Sequence, residues 1–152
     1  MEFKIIIDSR EQNPLTFPRT QKCVVSKLDV GDYSVEEYEK RIAIERKSLP
    51  DLFQTLGRGN KRFKKELERA REYEYFAIII DGSYRECKYK SFPGSHYSSM
   101  RGYVIAQIVL TLHIKYRINV FFAEDRMESA ELVRDLFRTY LKLKGKKNPS
   151  PP

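Results

Sequence analysis

Arg41-Ile42-Ala43-Ile44-Glu45-Arg46-Lys47-Ser48-Leu49-Pro50-Asp51 changes character half-way along. The apolar residues up to Glu45 read as a strand. Ser48-x-x-Asp51 reads as a capping box that opens a helix. Pro50 then falls in the first helical turn, where its missing N–H costs little. Leu52, Phe53 and Leu56 form the apolar face of that helix, and Gly57 stops it. A strand feeding directly into a helix is the repeating unit of an α/β sheet.

The flanking sequence extends the same pattern. Upstream, residues 33–35 and 41–45 read as a hairpin joined by Glu36-Glu37-Tyr38-Glu39. Residues 3–7, ending at Asp8, and 23–28, ending near Gly31, read as strands. Asn13-Pro14 and Phe17-Pro18 make a loop between them. Downstream, Gly57-Arg58-Gly59-Asn60 is a basic turn before a helix over 61–73. That helix places Phe63, Leu67 and Ala70 on one face and charges on the other. Residues 76–80 form a continuous apolar run ending in Asp81-Gly82, as expected of a strand covered on both faces. Residues 83–96 read as a loop and 98–116 as a long helix with Val104, Ile105, Ile108, Val109 and Leu112 on its stripe. Residues 119–122 form a last strand. Asp125-x-x-Glu128 opens a final helix carrying Val133, Leu136, Phe137, Tyr140 and Leu141. The expected fold is one α/β domain over 1–144, a central mixed sheet flanked by helices in two or three layers. The basic, Pro-rich residues 145–152 are expected to fray.

The chain has 152 residues, 41% hydrophobic and 33% charged, which suits one domain with one core. A formal net charge of +8 attracts polyanions, nucleic acid above all. Cys23, Cys87, His96 and His113 are isolated and do not suggest a zinc site. Two cysteines in a chain of this size suggest reduced thiols and an intracellular protein. The start, Met-Glu-Phe-Lys, does not read as a signal peptide, and no apolar run reaches membrane-spanning length.

Asp32, in Gly31-Asp32-Tyr33, and Glu45 lie on the two strands of the expected hairpin, close enough to meet. Glu45 and Lys47 leave the same strand face. Two hard oxygen ligands beside an ammonium suit Mg²⁺, which binds one or two carboxylates and completes its shell with water and phosphate. Neighbouring carboxylates favour a charged lysine, so Lys47 is expected to orient water and balance charge. An ordinary solvated strand carries Glu-x-Lys as well, and Asp51 is equally well explained as a helix cap.

Taken together, Gly31-Asp32 and Glu45-Arg46-Lys47-x-x-x-Asp51 resemble the signature of the XPF family of structure-specific endonucleases. Ile7-Asp8-Ser9-Arg10-Glu11 resembles the family's first-strand motif, and the likeness runs from about Phe3 to Leu141. It implies a restriction-endonuclease-like fold of the PD-(D/E)xK type and Mg²⁺- or Mn²⁺-dependent cleavage of branched DNA such as flaps, forks and nicked junctions, in repair or recombination. By position, Asp32 and Glu45 would hold the metal, with a metal role for Asp8 as well. Lys47 would be the catalytic lysine, and Arg46, Asp51, Arg10 and Glu11 would complete the catalytic set. It also implies a homodimer or heterodimer through the C-terminal helices. The intact acidic motif argues against the family's non-catalytic partner subunits. A DNA-binding or scaffolding subunit without turnover is the alternative.

Arg58, Lys61, Arg62, Lys64 and Lys65 follow the motif helix as a candidate phosphate-tracking patch, with Gly57 and Gly59 permitting close backbone approach. A solvated helix face accounts for the same residues. Arg85, Lys88, Tyr89, Lys90 and Arg101 are candidates for an opposite wall, with Tyr89 or Phe92 placed to stack on an unpaired base.

Overall fold

A computed structural model describes residues 2–57 and 61–145. Arg58 and Asn60 of the basic turn, and the tail from 146 onward, lie outside the described residues. The chain forms β1 (Lys4–Asp8), β2 (Lys22–Ser26), β3 (Tyr33–Val35), β4 (Ile42–Ser48), α1 (Leu49–Gly57), α2 (Lys61–Ala70), β5 (Tyr75–Asp81), α3 (Tyr84–Tyr89), α4 (Gly102–Ile114), β6 (Asn119–Ala123) and α5 (Arg126–Lys144). The strands make one six-stranded sheet in the order β2-β1-β3-β4-β5-β6. β3 is antiparallel to β1 and β4, while β1–β2, β4–β5 and β5–β6 pair in parallel. The expected mixed sheet is therefore present: β3 supplies its antiparallel part, helical crossovers supply the parallel pairs β4–β5 and β5–β6, and a loop over 9–21 joins the parallel pair β1–β2.

Two apolar clusters lie on opposite sides of the sheet. Ala43, Ile78 and Ile80 face one way, against Leu52 and Phe53 of α1, Phe63 of α2, Cys87 of α3 and Ile105 and Val109 of α4. Ile42, Ile44, Ala77 and Ile79 face the other way, against Val133 and Phe137 of α5. The alternation of β4 and β5 side chains thus feeds both cores and makes a three-layer sandwich with a single helix on one side. β2 is the contrast. All five of its residues are exposed, because this edge strand has a neighbour on one side only.

Several boundaries differ from the sequence reading: β2 is Lys22–Ser26 rather than 23–28, and α2, expected over 61–73, ends at Ala70. β4 continues to Ser48, because the whole Glu45–Ser48 segment pairs with Ile78–Asp81 of β5. The long helix begins at Gly102 rather than at 98. The segment 83–96, expected as loop, contains α3 and a 3-10 turn at Ser95–Tyr97. α3 exists because Ser83 and Glu86 form a full capping box: Ser83 Oγ accepts from Glu86 N–H at 3.0 Å, and Glu86 Oε1 accepts from Ser83 N–H at 2.9 Å.

Candidate active site

Gly31 makes the turn into β3 with φ +77°, and a Cβ there would lie 2.9 Å from the Ile44 carbonyl oxygen. Glycine adopts that conformation at that distance without strain. The close approach docks Asp32 against β4. Its N–H donates to Ile44 O at 2.8 Å, and its Oδ2 accepts from Arg46 N–H at 2.8 Å. The Asp32 carbonyl in turn accepts from Asp8 N–H at 2.8 Å. Backbone bonds therefore bring together β1, β3 and β4 where their acidic residues lie.

Asp8, Asp32, Glu45 and Lys47 line one cleft of about 290 Å³. Lys47 Nζ stands 3.6 Å from Glu45 Oε2 and over the Phe63 ring, 5.4 Å from its centroid. The Asp32 and Glu45 carboxyls lie near enough in the cleft to influence each other's ionisation. Burial pushes the Glu45 carboxyl well above its ordinary range, and the Asp32 charge beside it adds to the effect. Asp32 is raised too, chiefly by burial, although its bond to Arg46 N–H favours its charged form. Two buried acids this close repel each other when both are ionised, and a cation between them relieves that repulsion. Asp8 is 4% exposed. It already accepts from Leu28 N–H at 2.9 Å and from Arg10 Nε at 3.0 Å. Among the described residues, no group of three or more His, Cys, Asp or Glu side chains could by itself hold a metal ion.

The other motif residues divide. Arg10 lines the cleft, pinned by Asp8 and by the Leu28 carbonyl, to which its Nη2 donates at 2.7 Å. Glu11 lies outside the lining. Its carboxylate accepts from Asn13 N–H at 3.2 Å, and its charge raises the Asp32 carboxyl from a distance. Asp51 is exposed on the first turn of α1, outside the cleft, and its N–H donates to Ser48 Oγ at 3.3 Å. That bond makes Ser48 the side-chain cap of α1, through the Asp51 backbone rather than its carboxylate. Arg46 lies on the other face of the sheet. Strand alternation turns it to the α5 side of the sheet, away from Glu45 and Lys47. There its Nε donates to Asp81 Oδ2 at 2.8 Å, Asp81 Oδ1 accepts from Ser129 Oγ at 2.5 Å, and Arg46 Nη1 reaches the Asn13 carbonyl at 3.3 Å.

Of the basic candidates, Arg62 lines the cleft, while Lys61, Lys64 and Lys65 are exposed along α2. The sequence reading missed Glu66. It also lines the cleft, and its Oε1 accepts from Gly31 N–H at 3.2 Å. Its signal was its place in α2: three residues after Phe63 and next to Leu67, an acid at the edge of the apolar stripe rather than on the solvated face.

Comparison with known families decides the assignment, since the ERCC4 domain model matches residues 7–136. The chain belongs to the ERCC4 domain family. This ERCC4 domain resembles XPF from Aeropyrum pernix, with 22% identity and a TM-score of 0.72, over 98% of this chain and 66% of that chain. A second structure, XPF from Aeropyrum pernix in complex with DNA, matches with 22% identity and a TM-score of 0.69, over 97% of this chain and 68% of the other. The ERCC4 domain thus spans about two thirds of the chains it resembles and shares their restriction-endonuclease-like fold. A search of curated protein sequences finds no match.

Proposed function

We propose that this ERCC4 domain is a divalent-metal-dependent DNA endonuclease. Its substrates in this reading are branched DNAs (flaps, forks or nicked junctions) met in repair or recombination. The observation that carries the proposal is the gathering of Asp32, Glu45 and Lys47 in one cleft, with Lys47 Nζ 3.6 Å from Glu45 Oε2. The structure of a relative in complex with DNA supports the choice of polymer.

The donor set fits Mg²⁺ or Mn²⁺, because Asp32 and Glu45 are hard oxygen donors that relieve their mutual repulsion by sharing a cation. Bound there, the ion supplies Lewis-acid polarisation of the phosphate and a more acidic water. The protein's own part is positioning and charge. Lys47 places an ammonium where it can orient the attacking water and balance charge developing on the phosphate. Asp8 fixes Arg10 and the Leu28 backbone at the rim, so that the guanidinium faces an incoming strand. Lys61, Arg62, Lys64 and Lys65 follow the strand's phosphates along α2.

Pairing through α4 and α5 belongs to the same proposal. Tyr103, Leu110 and Ile114 leave apolar surface exposed on α4. Gel filtration with light scattering tests it, and a monomer at working concentration counts against it.

The central experiment is cleavage of flap, fork and linear duplex DNA with and without Mg²⁺. Asp32→Ala and Glu45→Ala are expected to lose at least about 100-fold in rate, since even outer-shell partners of metal sites are worth 10–100-fold. Variants that cut like the parent would refute the metal assignment. Cutting confined to linear duplex would remove the branch preference. A parent that binds DNA without cutting would be a binding subunit instead.

A further inference from the structure

A second cavity, of about 390 Å³, lies on another flank of α1. Pro50, Phe53, Gln54 and Gly57 supply one wall, the i, i+3, i+4, i+7 stripe of that helix. The segment between α3 and α4 supplies the other. Phe92 forms the floor, its ring centroid 5.0 Å from that of Phe53. Tyr97 stands at the lip, 86% exposed, with the His96 ring centroid 4.1 Å from its own. Met100 closes the far end against Gly57, where a Cβ would lie 2.6 Å from Met100 Cγ. The Lys90 ammonium is tied to the Ser98 carbonyl behind this wall.

These features select a kind of ligand. An aromatic ring left exposed beside an apolar floor offers a flat stacking face, which any planar ring system can use. Gln54 and serines on the rim offer hydrogen-bonding groups of both polarities. No described lining residue is acidic, in contrast to the neighbouring cleft, and the next residue along the chain is Arg101. A planar ring with polar edges attached to an anionic backbone matches all three properties. One helix separates the cavity from that cleft: Thr55 of α1 lines the cleft, while Gln54 lines the cavity. A helix is about 10 Å across, so a strand whose phosphate lies in the cleft can reach the cavity with a nearby nucleotide.

We propose that this cavity is a stacking site for an unpaired nucleobase on the single-stranded side of the substrate, held against Tyr97. Of the two stacking candidates suggested by sequence, Phe92 lines the cavity and Tyr89 does not; the Tyr89 ring instead has Arg85 and Lys88 beside it, with cation-to-centroid distances of 5.9 and 5.5 Å. The proposal rests on the DNA reading but fails separately from it, because its test measures binding rather than cutting. The full chain carrying Glu45→Gln is titrated into fluorescently labelled oligothymidylate and, separately, into labelled duplex. Tyr97→Ala is expected to lower the ratio of single-strand to duplex affinity about tenfold, within the range for loss of one base–aromatic stack. Tyr97→Phe is expected to restore it. Because Tyr97 is so exposed, its truncation leaves both cores intact. Photocrosslinking with 5-iododeoxyuridine in the unpaired arm of a fork is expected to mark the 92–100 segment. An unchanged ratio in Tyr97→Ala, or crosslinks confined to other segments, would overturn the proposal. Cleavage by the parent, measured alone, decides the nuclease reading.

Discussion

Glu45 is held in the fold at a cost that depends on pH. Its folded pKa lies above the ordinary value of 4.5, so between those two points the folded state binds more protons than the unfolded chain. The contribution to stability is complete below about 4.5 and is lost as pH rises through the raised value. Metal-free protein in chelator is therefore expected to lose thermal stability as pH rises from 4.5 to 8, and Glu45→Gln to flatten that decline. Added Mg²⁺ is expected to raise the parent's melting temperature at pH 8 and to leave the variant's nearly unchanged. Parallel pH profiles for the two proteins would exclude Glu45 as the titrating group. Gly31 acts through geometry instead. Gly31→Ala puts a side chain at φ +77° and 2.9 Å from the Ile44 oxygen, so urea unfolding is expected to show a loss of about 1–3 kcal/mol. A change below a few tenths would mean that the turn relaxes freely.

At the scale of elements, Glu74 joins the start of β5 to the end of α5. Its carboxylate is paired with Lys144, accepts from Tyr140 Oη at 2.8 Å and is bridged by Arg41 Nε at 2.6 Å. Lys144 leads this set in holding its pKa down at about 2. The sign is opposite to that of Glu45: the contribution is present above 4.5 and is lost as pH falls through about 2. Glu74→Gln is expected to blunt the fall in urea midpoint between pH 5 and 2, and more so at low salt, because the cluster is partly exposed. An acid limb of unchanged slope would place the titration elsewhere. The elements that sequence made legible were those with a strong period or a strong stop: the apolar run of β5, the β4-to-α1 junction, and the helix begun by Asp125, whose Oδ1 accepts from Glu128 N–H at 2.8 Å. α3 was missed although Ser83-x-x-Glu86 spells a capping box, because its short polar sequence offers no apolar stripe to read. The place of Arg46 is not legible from the motif alone. A motif is contiguous in sequence, but a strand sends neighbours to opposite faces, so Glu45 and Lys47 share the cleft while Arg46 braces Asp81, Ser129 and the Asn13 loop behind it.

At the scale of the whole molecule, a small cleft of mixed charge sits in a chain of net charge +8. Asp8, Asp29, Asp32, Glu45 and Glu66 face Arg10, Lys47, Arg62 and Arg69 there, so the cleft is nearly balanced and the surplus that attracts a polyanion lies around it. Sequence composition revealed that surplus of charge but not its placement, which depends on how α2 is docked. Phe63 and Ala70 are buried, which turns Lys61, Lys64 and Lys65 outward beside the cleft. If these lysines track a DNA backbone, each contact releases counterions and contributes to the salt dependence of binding. In the non-cutting Glu45→Gln background, Lys64→Ala with Lys65→Ala is expected to reduce the slope of log affinity against log salt by about 2. The loss of affinity is expected to be the same for DNAs of different sequence, because phosphate contacts position without reading bases. An unchanged slope would mean that these lysines are only solvated, and that the cationic path to the cleft runs instead past Arg10 and Arg62, both of which line it.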